Sequence, residues 1–174
     1  MAEISVANTN LVRKATFDTK DYYVTLWNII RNSLGYSFSE DDYFQIKREN
    51  DMDIEFHWTC DATRDNYTKF RIWVESKLRF LKEVKVKVGN ETRKMYAGEI
   101  ELNLKGVLIL DHRDYWSNHA IFKHFPKWRG VNMAQYFYEK VLFKPTIDSY
   151  WRRVYDHVFI VQNEIKSFFD LPRW

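Results

Sequence analysis

The feature that most restricts the fold is a run in which apolar residues recur at every second position. Phe70, Ile72, Val74, Leu78 and Phe80 fall on one side, with Lys69, Arg71, Trp73, Glu75, Lys77 and Arg79 between them. Successive strand side chains point to opposite faces, so this run specifies a strand with one face in a core and the other turned outward. The same period governs its neighbours. Tyr43 to Glu49 alternates up to an Asn50-Asp51 turn, and Ile54, Phe56, Trp58 and Cys60 then alternate with Glu55, His57 and Thr59. Val84, Val86 and Val88 alternate with Lys85 and Lys87 up to Gly89-Asn90; Ile100, Leu102, Leu104, Leu108 and Leu110 alternate with Glu99, Glu101, Asn103, Lys105, Val107 and Ile109. Alternating segments joined by short turns predict an antiparallel meander with one buried face. Gly98 and Gly106 mark expected bends or bulges in long strands.

Helical spacing brackets this region. Leu11 to Phe17 is expected as a strand, after which Asp18 is placed as an N-cap, and Tyr22, Tyr23, Leu26, Trp27, Ile29, Ile30 and Leu34 recur on one helical face up to a stop at Gly35. Tyr115 to Phe125 and Val131 to Phe143 predict two short helices ended by Pro126 and Pro145. A long one follows over Thr146 to Asp170, with Tyr150, Val154, Val158, Val161, Ile165 and Phe168 in its apolar stripe and Trp151, Tyr155 and Phe159 widening it. The expected fold class is α+β: an antiparallel meander of about five or six strands packed against an N-terminal helix and a long C-terminal helix. Residues 1–10 are expected to be disordered, leaving 11–174 as one domain.

With 174 residues, 45% of them apolar, the chain can build a core without metals or staples. Cys60 is its one cysteine, so no intramolecular disulfide forms and a cytoplasmic setting is expected. Neither a basic region followed by an apolar one at the N-terminus nor a run of 18 apolar residues occurs, so no signal peptide or membrane span is expected.

The net charge of +3 implies no polyanionic partner, but its distribution is uneven: residues 69–94 hold nine basic and three acidic side chains. Lys69, Arg71, Trp73, Lys77, Arg79, Lys85 and Lys87 therefore form a candidate face for RNA or single-stranded nucleic acid, with bases stacking on Trp73 and cations meeting phosphates. Lysine-rich strands also serve simply as solvated sheet faces that discourage edge pairing.

Chemistry-bearing motifs are sparse. His112, His119 and His124 lie close in sequence, but on a helix His119 and His124 point about 140° apart, so no metal site is assigned. His57 falls on the polar side of its strand and His157 in mid-helix, neither beside a nucleophile. Cys60 falls on the apolar side, where a thiol packs as a small hydrophobe. Phosphate loops, nucleophile elbows and zinc-protease helices are absent, and no catalytic residue or cofactor is assigned.

The aromatic content of 18% is the strongest remaining signal. Trp116, Phe122, Trp128, Trp151 and Tyr155 are candidates for an aromatic cleft between the sheet and the C-terminal helix. The expected function is that of a non-catalytic binding protein holding an apolar ligand or a partner segment there. A homo-oligomer or protein partner using the aromatic 115–143 region is the further alternative. In element order the chain resembles the helix-grip arrangement of START-type lipid and hormone carriers. The stretch Ser117-Asn118-His119-Ala120-Ile121-Phe122-Lys123-His124-Phe125-Pro126-Lys127-Trp128, with Val161-Gln162-Asn163 in the terminal helix, resembles a family of small uncharacterised archaeal proteins. That resemblance implies the helix, meander, helix order and no site, substrate or cofactor.

Overall fold

In the computed structural model, which describes residues 2–88, 91–114 and 135–170, the alternating segments form one five-stranded antiparallel sheet. Strands β1 (Ala2–Phe17), β2 (Ser37–Lys47), β3 (Met52–Thr63), β4 (Thr68–Val88) and β5 (Glu91–Leu110) lie in the order β1-β5-β4-β3-β2. The α+β class, the N-terminal helix and the long C-terminal helix are as the sequence predicts.

The first strand begins earlier than expected. Ala2 pairs with Leu110 and the ladder continues to Phe17 opposite Tyr96, so residues 2–10 belong to an edge strand and are not disordered. Burial explains this: Ile4 packs against the core, and a bulge between Ser5 and Ala7 lets both Val6 and Ala7 be buried. The second difference lies in β4. Segments 70–80 and 84–88, expected as separate strands, are one strand of 21 residues. The break is only a bulge between Arg79 and Lys82, where Phe80 takes a positive φ of 55° and Leu81 turns into the core. Gly98 lies opposite this bulge, where a Cβ would sit 2.7 Å from the Arg79 carbonyl oxygen. Glycine is required there.

Helix α1 (Thr19–Asn28) starts on the Asp18 carboxylate, which accepts from the Lys20 and Asp21 amides at 2.8 and 3.4 Å. It runs into a π turn, Ile29–Ser33, and Gly35 at φ 72° releases the chain toward β2 at the far edge. Helix α2 (Lys144–Asp170) follows a second π turn, Tyr138–Leu142, with Pro145 in its first turn instead of ending a preceding helix. The expected helix 115–125 and most of 131–143 lie outside the described residues.

Helix α2 lies over β1 and β5 and meets α1. Val154, Val158, Val161 and Ile165 are fully buried against the sheet face built by Phe70, Ile72, Ile100, Leu102 and Leu104. Gly106 permits this approach, since a Cβ there would stand 2.6 Å from Val158 Cγ2. Tyr22, Tyr23, Phe56, Trp58 and Phe38 form an aromatic group under α1, with Tyr23 edge-on to Phe56 and Trp58, Phe38 edge-on to Trp58, and Phe56 stacked on Trp58. Both helices cover the same side of the sheet.

Candidate functional site

On the side of the sheet away from the helices, strand alternation lines up side chains from residues far apart in sequence. Register brings Asn8 opposite Lys105, Lys105 opposite Trp73, and Trp73 opposite Thr59. One step along, Asn10, Asn103, Glu75, His57 and Asp42 form a second row across all five strands. Between these rows opens a depression of about 690 Å³, lined by Asn8, Asp41, His57, Trp73, Glu75, Asn103 and Lys105, with Trp58 and Val74 beneath.

The polar side chains are held by one another. Asn103 Nδ2 donates to Glu75 at 3.1 Å, and Asn10 Nδ2 donates to Asn103 at 2.6 Å and to Glu101 at 3.2 Å. The Thr59 hydroxyl donates to Asp41. His57 Nε2 lies 3.1 Å from Glu55 and 3.6 Å from Glu75, while its Nδ1 lies 3.6 Å from Asp42. Glu55, His57 and Glu75 thus bring three ligand atoms within 4.8 Å, the spacing of a small cation site. A cation already stands there. Lys77 Nζ is 2.6 Å from Glu75 and 3.7 Å from Glu55, and this bond holds the Glu75 carboxyl below its usual range and raises Lys77.

The candidate nucleic-acid residues do lie on this side up to Arg79, but their charges are matched. Lys69 and Arg71 both bond Asp61, Arg71 through Nε at 2.7 Å. Burial alone would raise the Asp61 carboxyl, yet the bonds from Arg71 and Lys69 outweigh it and hold the group below its usual range. Arg79 stands 4.0 Å from Glu101. Trp73 carries the Arg71 guanidinium 5.8 Å and the Lys105 ammonium 4.8 Å from its ring centre. Across the five strands this side holds Lys14, Lys69, Arg71, Lys77, Arg79 and Lys105 among Glu3, Asp41, Asp42, Asp53, Glu55, Asp61, Glu75, Glu99 and Glu101. Carboxylates outnumber cations. Lys85 and Lys87 are separate from this field, on the part of β4 beyond the bulge, where it pairs with β5 alone.

Of the candidate cleft residues, Trp116, Phe122 and Trp128 lie outside the described residues. Trp151 and Tyr155 are on a flank of α2, 36% and 39% exposed, stacked on each other at 5.5 Å, with Phe159 4.5 Å further on. The structure does not place them between sheet and helix, where the valines of α2 meet the strands directly. Tyr155 follows Val154 by one position, about 100° round the helix, which signals its displacement; Trp151 stands seven positions before Val158, within about 20° of it, so spacing gives no signal for Trp151.

His119 and His124 lie outside the described residues, and the other two histidines have local partners. His112 Nε2 is 3.0 Å from the Asp65 carbonyl oxygen. His157 Nδ1 is 2.9 Å from the hydroxyl of buried Tyr36. Cys60 is fully buried, and burial pushes its thiol up to about 12, so it is not a thiolate at neutral pH. Reasoning from the sequence missed Glu55 as a partner of His57, although strand residues two apart share a face. Asn8, Asp41, Asn103 and Lys105 carried no sequence signal as a group, because only the cross-strand register joins them.

No helix among the described residues is long and apolar enough to cross a membrane. Comparison with known proteins identifies no matching family model, no similar curated protein and no similar solved structure.

Proposed function

We propose that the protein is a non-catalytic binding protein whose ligand surface is the outward depression around Trp73, and that its ligand is a neutral polyhydroxylated molecule such as a saccharide. The observation that carries this reading is the lining itself: one indole among two asparagine amides, two carboxylates, an imidazole and an ammonium, all on a rigid sheet. Hydroxyl groups both donate and accept, so they match carboxylates that only accept and amides that do both. The indole supplies an apolar surface for the C–H groups of a sugar ring. An apolar ligand would leave the polar lining unsatisfied, and the excess of carboxylates opposes a phosphate-rich one.

The test is titration with neutral hexasaccharides of glucose, xylose and mannose, followed by the chemical shifts of the tryptophan indole N–H groups. Saturable shifts that include the Trp73 signal and vanish in Trp73→Ala are expected. Absence of shifts with every saccharide, alongside salt-dependent binding of polyuridylate, would replace this reading with nucleic-acid binding.

A further inference from the structure

Strand register gathers Glu55, His57, Glu75 and Lys77 into a square on the outward side of the sheet. His57 stands opposite Glu75, Glu55 opposite Lys77, and Asp42 of β2 opposite His57 on its other flank. Glu55 Oε1 and Glu75 Oε1 both face His57 Nε2, at 3.1 and 3.6 Å, and the three atoms all lie within 4.8 Å of one another. Ligand atoms on a tetrahedral zinc ion, bonded at about 2.0–2.2 Å, stand roughly 3.3 Å apart. Two edges of the triangle are already close to that length, and all three side chains rise from paired strands that fix their backbones.

The groups behind this triangle orient it. Asn103 Nδ2 donates to the other oxygen of Glu75, Oε2, at 3.1 Å, which leaves Oε1 turned toward His57. An Asp42 oxygen stands 3.6 Å from His57 Nδ1, a place for the ring proton that leaves the Nε2 lone pair facing the two carboxylates. Outer partners of this kind set the tautomer and direction of a ligating histidine. The group now between the carboxylates is Lys77, whose Nζ meets the same two oxygens at 2.6 and 3.7 Å. Its single charge balances only one of them, and its flexible four-carbon stem lets the ammonium leave.

We propose that Glu55, His57 and Glu75 bind a divalent transition-metal ion, zinc by ligand type, which displaces the Lys77 ammonium. An imidazole nitrogen beside two carboxylates suits zinc better than magnesium or calcium, which take oxygen ligands. Three protein ligands leave one position of the ion open, and His57 and Glu75 belong to the wall of the Trp73 depression. Metal binding here does not depend on what the depression holds.

The test is calorimetric titration of the full chain with zinc chloride at neutral pH, with no saccharide present. Saturation at a single ion per chain is expected, and His57→Gln should abolish it. His112→Gln should not, since that ring meets the Asp65 carbonyl elsewhere. Lys77→Gln removes the competing cation and should tighten zinc binding roughly tenfold. Asp42→Asn should weaken it about tenfold through the far side of the ring. No saturable binding by the unmodified chain at millimolar zinc, an unchanged affinity in His57→Gln, or an affinity no higher in Lys77→Gln would each overturn the proposal. Displacement of zinc by an equal concentration of magnesium would do the same. All four positions are on the outward side of the molecule, and unchanged circular dichroism separates loss of the ion from loss of fold.

Discussion

Gly106 and Val158 face each other across the sheet–helix interface so closely that a single added methyl on Gly106 would lie 2.6 Å from Val158 Cγ2 and 3.0 Å from Val154 Cγ1. Both valines are fully buried and β-branched, so neither can turn aside into another rotamer without losing contacts. Gly106→Ala should destabilise the protein by roughly 1–3 kcal/mol, the usual range for overpacking. Urea denaturation measures this, and Val158→Ala in the same chain should cost less than it does alone, because the space it opens receives the new methyl.

Phe80 offers the opposite case. Its φ of 55° is left-handed, and its ring is 56% exposed, so the side chain gains little that offsets the strained backbone. An L-residue with a Cβ pays about 1–2 kcal/mol for this conformation, and asparagine tolerates it better. Phe80→Asn should raise stability by roughly 1 kcal/mol, read as a higher urea midpoint with an unchanged slope. The Phe80 amide bond to Asp53, 2.8 Å long, is preserved because it uses the main chain.

Tyr22 and Ser76 are both fully buried and bond hydroxyl to hydroxyl at 2.9 Å, at a position where the alternation of β4 would place an apolar residue. Each satisfies the other out of reach of solvent. Tyr22→Phe strands the Ser76 hydroxyl and should cost about 1–3 kcal/mol, as should Ser76→Ala for the tyrosine. The double variant removes both polar groups and should be less destabilised than the sum of the two, a coupling of roughly 1 kcal/mol in a double-mutant cycle.

These three pairs show where the fold is legible in the sequence and where it is not. The alternation of β3, β4 and β5 follows from which residues are apolar, and the Asp18 cap and the α2 stripe follow from spacing alone. Ser76 interrupts the β4 pattern without ending the strand, and Phe80-Leu81 reads as its end because two adjacent apolar residues break the period of two. Only the third dimension shows that Leu81 turns inward through a bulge. The same holds for the outward face: Trp73 is assigned to the polar side by its position, but its neighbours Asn8 and Lys105 belong to other strands. The apparent basic stripe likewise loses its excess charge once Asp61 stands opposite Arg71 and Glu55 opposite Lys77. Spacing along one strand carries no information on what the next strand supplies.

His157 gives the clearest dependence on pH. It is half-buried on α2, its Nδ1 2.9 Å from the Tyr36 hydroxyl and its ring edge-on to Tyr36 at 5.7 Å. Burial lowers its pKa below the ordinary histidine value, and the nearby cations Arg64 and Arg153 lower it further against a small opposing effect from Asp156. The folded chain therefore holds this ring neutral where the unfolded chain, with a histidine pKa of about 6.5, takes up a proton. Stability from this group is complete above about pH 6.5 and is lost as the pH falls toward the depressed folded value. Asp61 and Glu75, whose carboxyls are held low, lose their contributions only at more acid pH, below the ordinary carboxylate range. Unfolding free energy measured in urea should thus fall in two separate stages on acidification. His157→Asn retains an amide that can meet the Tyr36 hydroxyl but does not titrate, so it should flatten the first stage and leave the second. An unchanged first stage in that variant would assign the loss to another histidine.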